Sequence, residues 1–256
     1  TRAHPETIDK LYRTAIECGA RRIVVCDTVG HATPHGVHML IRFIKDMIKS
    51  TGETVTIDWH GHNDRGLGLI NAIAAIEAGV DVVHGAALGI GERCGNSAMD
   101  QLIVNLKLMG YLDDGVDLTL LPKYVQKVSE YCVVPVPRNY PVMGPDAFET
   151  ATGVHAAAVI KALKKGDTWL ANRVYSGVPA DVFGLAQSIT IGPMSGRSNV
   201  IFWLGERNIE AGDGLVDRIF NKAKHSATIL TVEEIMAEVS AESGTEVAGK
   251  YGVSIV

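Results

Sequence analysis

The run His60-Gly61-His62-Asn63-Asp64 carries the sharpest chemical signal in the sequence. Residues two apart in a strand point to the same face, so His60 and His62 would project two imidazoles side by side at a strand end. Neutral imidazole is a ligand for divalent cations, and that arrangement suits one. Asp64 stands where it would orient a ring from behind. The plainer alternative is a pair of hydrogen-bonded surface histidines. The place of the run directly after an apolar strand favours the cation.

A second signal is Gly89-Ile90-Gly91-Glu92-Arg93-Cys94-Gly95-Asn96. Its glycines permit a tight loop that a ligand can approach closely. Glu92 and Arg93 either pair to hold that loop, or Arg93 meets an anion. Asn96 either caps the helix that follows or directs its amide oxygen at the cation. Cys94 has no evident partnering base, so it reads as a packed thiol rather than a nucleophile. A third signal is Cys26-Asp27-Thr28-Val29-Gly30, where the Thr28 hydroxyl either donates to a substrate carboxylate or simply ends a strand. His84 lies in an apolar run and reads as a hydrogen-bonded core histidine. His155 reads locally as a first-turn helix residue.

These groups need elements to position them. Apolar residues at Ile8, Leu11, Ala15 and Ile16 have helical spacing over residues 5–19. Strands follow at 22–26, 55–60 and 81–86, alternating with helices at 34–49, 67–78 and 99–109. Three strand–helix units of roughly 30 residues with buried apolar strands imply a parallel sheet with right-handed crossovers. That means either a doubly wound sheet or a piece of a (β/α)8 barrel, and both place their sites at the C-terminal strand ends. No GxGxxG follows a strand, which weakens dinucleotide binding. After residue 112 the rhythm breaks. Helices are expected at 118–132, 153–165, 196–206, 213–224 and 231–241, with a proline-rich loop at 133–145 and a short strand at 187–192. The expected organisation is a catalytic α/β domain over 1–112, helical linker subdomains over 113–243, and a poorly ordered tail over 244–256.

The composition bounds the functional class. The 256 residues are 46% hydrophobic and 21% charged, with a net charge of -5, as in an ordinary globular protein. No basic surplus points to nucleic acid. No apolar run approaches the ~18–20 residues that span a bilayer. Four cysteines without CxxC pairing read as reduced, mostly buried thiols of a cytoplasmic protein.

Together these motifs resemble the metal-dependent acyl-CoA carboxylate synthases of the HMG-CoA lyase-like superfamily, namely the 2-isopropylmalate, homocitrate and citramalate synthases. The resemblance is carried by Asp27-Thr28-Val29-Gly30 with Ala32-Thr33-Pro34, by His60 to Asp64 with Gly66-Leu67-Gly68, and by Gly89 to Asn96. It covers nearly all of residues 1–112 and extends more weakly to about 240. The lyase relatives carry a cysteine-rich loop in place of Gly-Glu-Arg-x-Gly-Asn, so the synthase branch fits better.

The resemblance implies a fold and a set of roles. The three strands would be the last of a (β/α)8 TIM barrel, followed by mainly helical linker subdomains. His60, His62 and Asn96 would hold a divalent metal (zinc, manganese or magnesium), with Asp64 and Glu92 behind them. Thr28 and Arg93 would bind substrate. Gly153-Val154-His155 resembles a family stretch whose histidine reaches the partner subunit's active site, which implies a homodimer with His155 in acid–base work. Tyr175 falls where the family carries a functional tyrosine. The implied reaction condenses acetyl-CoA with a 2-oxo acid, with 2-isopropylmalate synthesis favoured over homocitrate or citramalate synthesis. Readings outside that class are a non-catalytic subunit and a metal-dependent aldolase or lyase. The family's first five barrel strands, with their metal carboxylate and Arg-Asp pair, are missing, as is its leucine-sensing domain. The expectation is therefore a fragment or half of a split enzyme, inactive and poorly soluble alone.

Overall fold

The computed structural model describes residues 1–243; the expected tail lies outside the described residues. The chain divides into two compact units, Thr1–Val136 and Pro137 onward.

In the first unit, β1 (Arg22–Asp27), β2 (Thr56–Gly61) and β3 (Val82–Val83) form a parallel sheet in the order β1-β2-β3. Parallel pairing requires crossovers. They are supplied by α2 (Pro34–Thr51) and α3 (Gly68–Glu77), with α1 (Pro5–Glu17) before the sheet and α4 (Met99–Leu108) and α5 (Leu121–Cys132) after it. Helix α2 starts where the sequence says it should. Pro34 occupies its first turn, the Thr33 hydroxyl accepts from the Gly36 N–H, and Gly52 ends it at φ 74°. Alternate strand residues Ile23, Val25, Ile57 and Trp59 are buried against Val37, Ile41, Ile44 and Ala72 of the helices. The opposite face therefore carries Val24, Cys26, Asp58 and His60.

Two expectations are corrected here. β3 is shorter than the 81–86 strand. Its ladder is extended on either side by Asp81 N–H to Ile57 O and His84 N–H to Trp59 O, both under 3 Å (2.8 and 2.9 Å), before Gly85 leads the chain away. All four cysteines are exposed rather than mostly buried. Cys26 alternates onto the strand face opposite the buried core, beside Tyr12 of α1, and Cys18 and Cys132 end helices.

The second unit is mainly helical. Helices α6 (Gly153–Lys164), α7 (Thr168–Ala171), α8 (Arg197–Gly205), α9 (Asp213–Lys224) and α10 (Val232–Ser243) accompany a two-residue parallel pair, β4 (Glu149–Thr150) with β5 (Ser188–Ile189). Its larger core gathers Ile191, Val200, Trp203, Leu204, Val216, Ile219 and Ile235. The turn of α7 and the strand β4 are too short to leave a periodic signal. Among the described residues no helix is long and apolar enough to cross a membrane.

Candidate functional site at the strand ends

The loops following the three strands of the first unit converge, and buried polar side chains hold them. The Asp27 carboxylate, fully buried, accepts the His31 N–H at 3.0 Å, the Ala32 N–H at 3.1 Å and the Thr1 hydroxyl at 2.6 Å. It thereby fixes the turn that carries Thr28. Asn63 Oδ1 accepts the Gly68 N–H at 2.9 Å and so starts α3. Asp100 Oδ1 accepts the Leu88 N–H at 2.7 Å, and the buried Ser97 hydroxyl donates to Gly68 O at 2.9 Å.

The glycine-rich loop after β3 folds back along the end of β2. Asn63 N–H donates to Gly95 O at 2.9 Å, Asn96 N–H to Gly89 O at 2.8 Å, and His62 and Asn96 pair in antiparallel register. This approach requires Gly95. Its φ is +87°, and a Cβ there would overlap the Gly89 carbonyl oxygen. Gly30, at φ +57°, likewise lets the β1 turn lie on the backbone of His62 and Asp64.

Within this frame the imidazoles of His60 and His62 stand 5.2 Å apart, ring planes nearly perpendicular. His62 is 8% exposed, and its Nδ1 is buried without a hydrogen-bond partner. Asn96 donates from Nδ2 to Ile90 O at 2.9 Å. That bond fixes the amide so that Oδ1 points the other way, where it too is buried and unpartnered. Burial, with the neighbouring His62 and His84 rings, pushes the His60 pKa below the ordinary imidazole value. A low pKa favours the neutral, ligating form.

Two buried atoms without hydrogen-bond partners, an imidazole nitrogen and an amide oxygen, with a second imidazole next to the first, are of the types that ligate a divalent cation. Among the described residues no cluster of three or more His, Cys, Asp or Glu side chains has metal-holding geometry.

Arg93 acts as a tie between loops. Its guanidinium donates to both Asp64 oxygens, at 2.7 and 3.2 Å, to Thr28 O at 2.6 Å and to Glu92 at 3.3 Å, so one side chain joins the ends of all three strands. The Asp64 carboxylate is hydrogen-bonded by Arg93, and that bonding, with the nearby His62 ring a smaller contribution, holds its pKa below the ordinary carboxylate value. Glu92 sits beside the same guanidinium. Thr28 is exposed, with its carbonyl on Arg93 and its hydroxyl in no hydrogen bond within the first unit.

His155 and Tyr175 belong to the second unit. Their rings stack at 4.3 Å with an interplanar angle of 28°. Both are exposed, so the contact is not imposed by core packing. Sequence reading missed His84, taken as a core histidine. Its side chain is 41% exposed, and Nε2 lies 3.1 Å from Asp58 Oδ2. The shortness of the apolar run before it and the glycine after it were the available signals.

The HMGL-like family model matches residues 1–128, half of the chain, and the protein belongs to that family. It is 33% identical to homocitrate synthase AksA of Methanopyrus kandleri over 88% of this chain and 53% of that protein. It is 32% identical to 2-isopropylmalate synthase of Pyrococcus furiosus over 100% of this chain and 50% of that one. With (R)-citramalate synthase of Aquifex aeolicus it shares 33% over 82% of this chain and 38% of that protein. The chain thus spans about half or less of the length of these relatives. Among solved structures, the Bacillus subtilis HMG-CoA lyase aligns with 54% of this chain and 46% of its own at 24% identity and a TM-score of 0.46.

Proposed function

We propose that the first unit is a sector of a (β/α)8 barrel carrying part of the active site of an acyltransferase that condenses acetyl-CoA with a 2-oxo acid. The observation that carries this reading is the pair of buried, unpartnered atoms His62 Nδ1 and Asn96 Oδ1, on residues paired across the strand end, with the His60 ring 5.2 Å from that of His62. Names of relatives support it, since homocitrate, 2-isopropylmalate and citramalate are all acetyl adducts of 2-oxo acids. The favoured substrate is 3-methyl-2-oxobutanoate, giving 2-isopropylmalate for leucine biosynthesis. The match to a 2-isopropylmalate synthase over 100% of the chain supports that choice.

Mechanistically, His60, His62 and Asn96 would hold a divalent cation: zinc, manganese or magnesium. When bound, it supplies Lewis-acid polarisation of the 2-oxo carbonyl. The Thr28 hydroxyl holds the substrate carboxylate, and Arg93 keeps Thr28 and Asp64 in place. His155, partnered by Tyr175, handles protons as the acetyl methyl carbon attacks the carbonyl and water then cleaves the thioester. In a homodimer these two residues serve the partner subunit's site. A cytoplasmic location fits this chemistry.

The test is thiol release from acetyl-CoA with 3-methyl-2-oxobutanoate, 2-oxoglutarate or pyruvate. It uses this chain supplemented with the polypeptide corresponding to the uncovered half of its relatives. Release with the first substrate above the other two is expected. Release without any 2-oxo acid dependence, or none in the supplemented protein, contradicts the proposal.

A further inference from the structure

Beside the candidate cation site lies a polar group that the mechanism above does not use. Asp58 and His60 share the face of β2 opposite the buried core. The register pairs Asp58 with Val82 and Trp59 with Val83, which brings His84 level with His60 across the strand boundary. The two rings stand 5.5 Å apart and tilted by 55°. His84 Nε2 lies 3.1 Å from Asp58 Oδ2. Asp58 is 2% exposed. Its other oxygen, Oδ1, has no hydrogen-bond partner, and the Arg22 guanidinium lies 3.6 Å from it. A buried carboxylate with one oxygen unsatisfied depends on the bond it does make. Arg22, Asp58 and His84 therefore form a polar tie across β1, β2 and β3 on the face that bears His60.

We infer that His84, anchored by Asp58, is a positioning residue that fixes the plane of the His60 imidazole for cation binding. The inference rests on the proposed cation site, but its geometry is independent of what that site binds. His60 has a ring on each of two sides, His62 at 5.2 Å and His84 at 5.5 Å. Removing the outer ring leaves His60 free to rotate and leaves the Asp58 carboxylate without its closest donor. Groups that orient metal-binding histidines typically change metal affinity by about 10–100-fold when removed. His84 acts by packing rather than by a direct hydrogen bond to His60, so about tenfold is the expected size.

The experiment compares the wild-type chain with His84→Ala and His84→Gln in two readouts. The first is the side-chain NMR signals of the His60 ring without added metal. The second is zinc affinity, measured by competition with a chromophoric chelator. In His84→Ala, displaced His60 signals and zinc binding weaker by about tenfold are expected. His84→Gln, whose amide still donates to Asp58, restores most of both. Amide spectra of each variant exclude unfolding as the cause. Unchanged His60 signals and unchanged zinc affinity in His84→Ala overturn the inference. A wild-type chain that binds no zinc sinks the cation reading itself, and the His60 signals then decide the role of His84 alone.

Discussion

Replacing Gly95 by alanine separates what the glycine-rich loop does for the site from what any left-handed glycine does for the fold. Gly95 and Gly110 both have positive φ, +87° and +78°, but a Cβ at Gly110 meets nothing within 4 Å, whereas at Gly95 it overlaps Gly89 O. Left-handed backbone alone costs an L-residue about 1–2 kcal/mol, and that is the whole expected effect of Gly110→Ala. In Gly95→Ala the loop must also move. Three hydrogen bonds then weaken together: Gly95 N–H to Glu92 O at 2.8 Å, Asn96 N–H to Gly89 O at 2.8 Å and Asn63 N–H to Gly95 O at 2.9 Å. At about 1 kcal/mol each, the loop loses roughly 4–5 kcal/mol of local order in total. Detachment of the loop limits how much of that reaches global stability. The sharper assay is hydrogen exchange at the Asn63 and Asn96 amides, combined with zinc binding. Gly95→Ala should expose both amides and abolish zinc binding, whereas Gly110→Ala should lower Tm by about 4 °C and leave zinc binding intact. Indistinguishable exchange and zinc binding in the two variants would refute the reasoning.

Other consequences follow from the same geometry. In Arg93→Ala the Asp64 carboxyl should titrate back in the ordinary carboxylate range, because its main perturbing donor is gone; an unmoved titration by NMR contradicts the loop tie. Asp27→Ala should destabilise the first unit by about 3 kcal/mol, since buried backbone N–H groups of the β1 turn lose their acceptor; denaturant unfolding within 1 kcal/mol of wild type contradicts that. The depressed His60 pKa means that the folded state resists a proton the unfolded chain accepts. His60 therefore subtracts nothing from stability above the unfolded imidazole value of about 6.5, and subtracts progressively as pH falls from there through its folded value. Its NMR titration midpoint should lie below the unfolded imidazole value, and a midpoint at or above that value contradicts the burial argument. Tyr175→Phe keeps the ring stacked on His155 while removing the hydroxyl. It should lower kcat in the supplemented enzyme with little change in Tm, and full activity in that variant removes Tyr175 from proton handling.

Much of the first unit was legible because its signals are local and periodic. Pro34 marks the start of α2, as read; its end, read at Lys49, lies two residues further on at Thr51, where Gly52 closes it. The pairing of His60 with His62 needed only a two-residue period. Other features depended on tertiary packing. Arg93 offers several donors, and only the folded loops show that Asp64, Thr28 and Glu92 take them. His84 sits in a hydrophobic run, yet β3 stops at Val83, so the ring emerges beside His60 instead of entering a core. Leu11 has helical apolar spacing but is 63% exposed, because amphipathic periodicity does not say which part of the stripe finds a partner. The stacking of His155 on Tyr175 joins residues twenty apart across an irregular segment, a distance no periodic pattern bridges.

The central claim is that His60, His62 and Asn96 share one divalent cation. Anomalous X-ray diffraction from zinc-soaked crystals tests it most directly. The account predicts a single strong peak within bonding reach of His60, His62 and Asn96 Oδ1 that is lost in His62→Ala. Zinc bound elsewhere on the chain, or a peak that survives in His62→Ala, would contradict it.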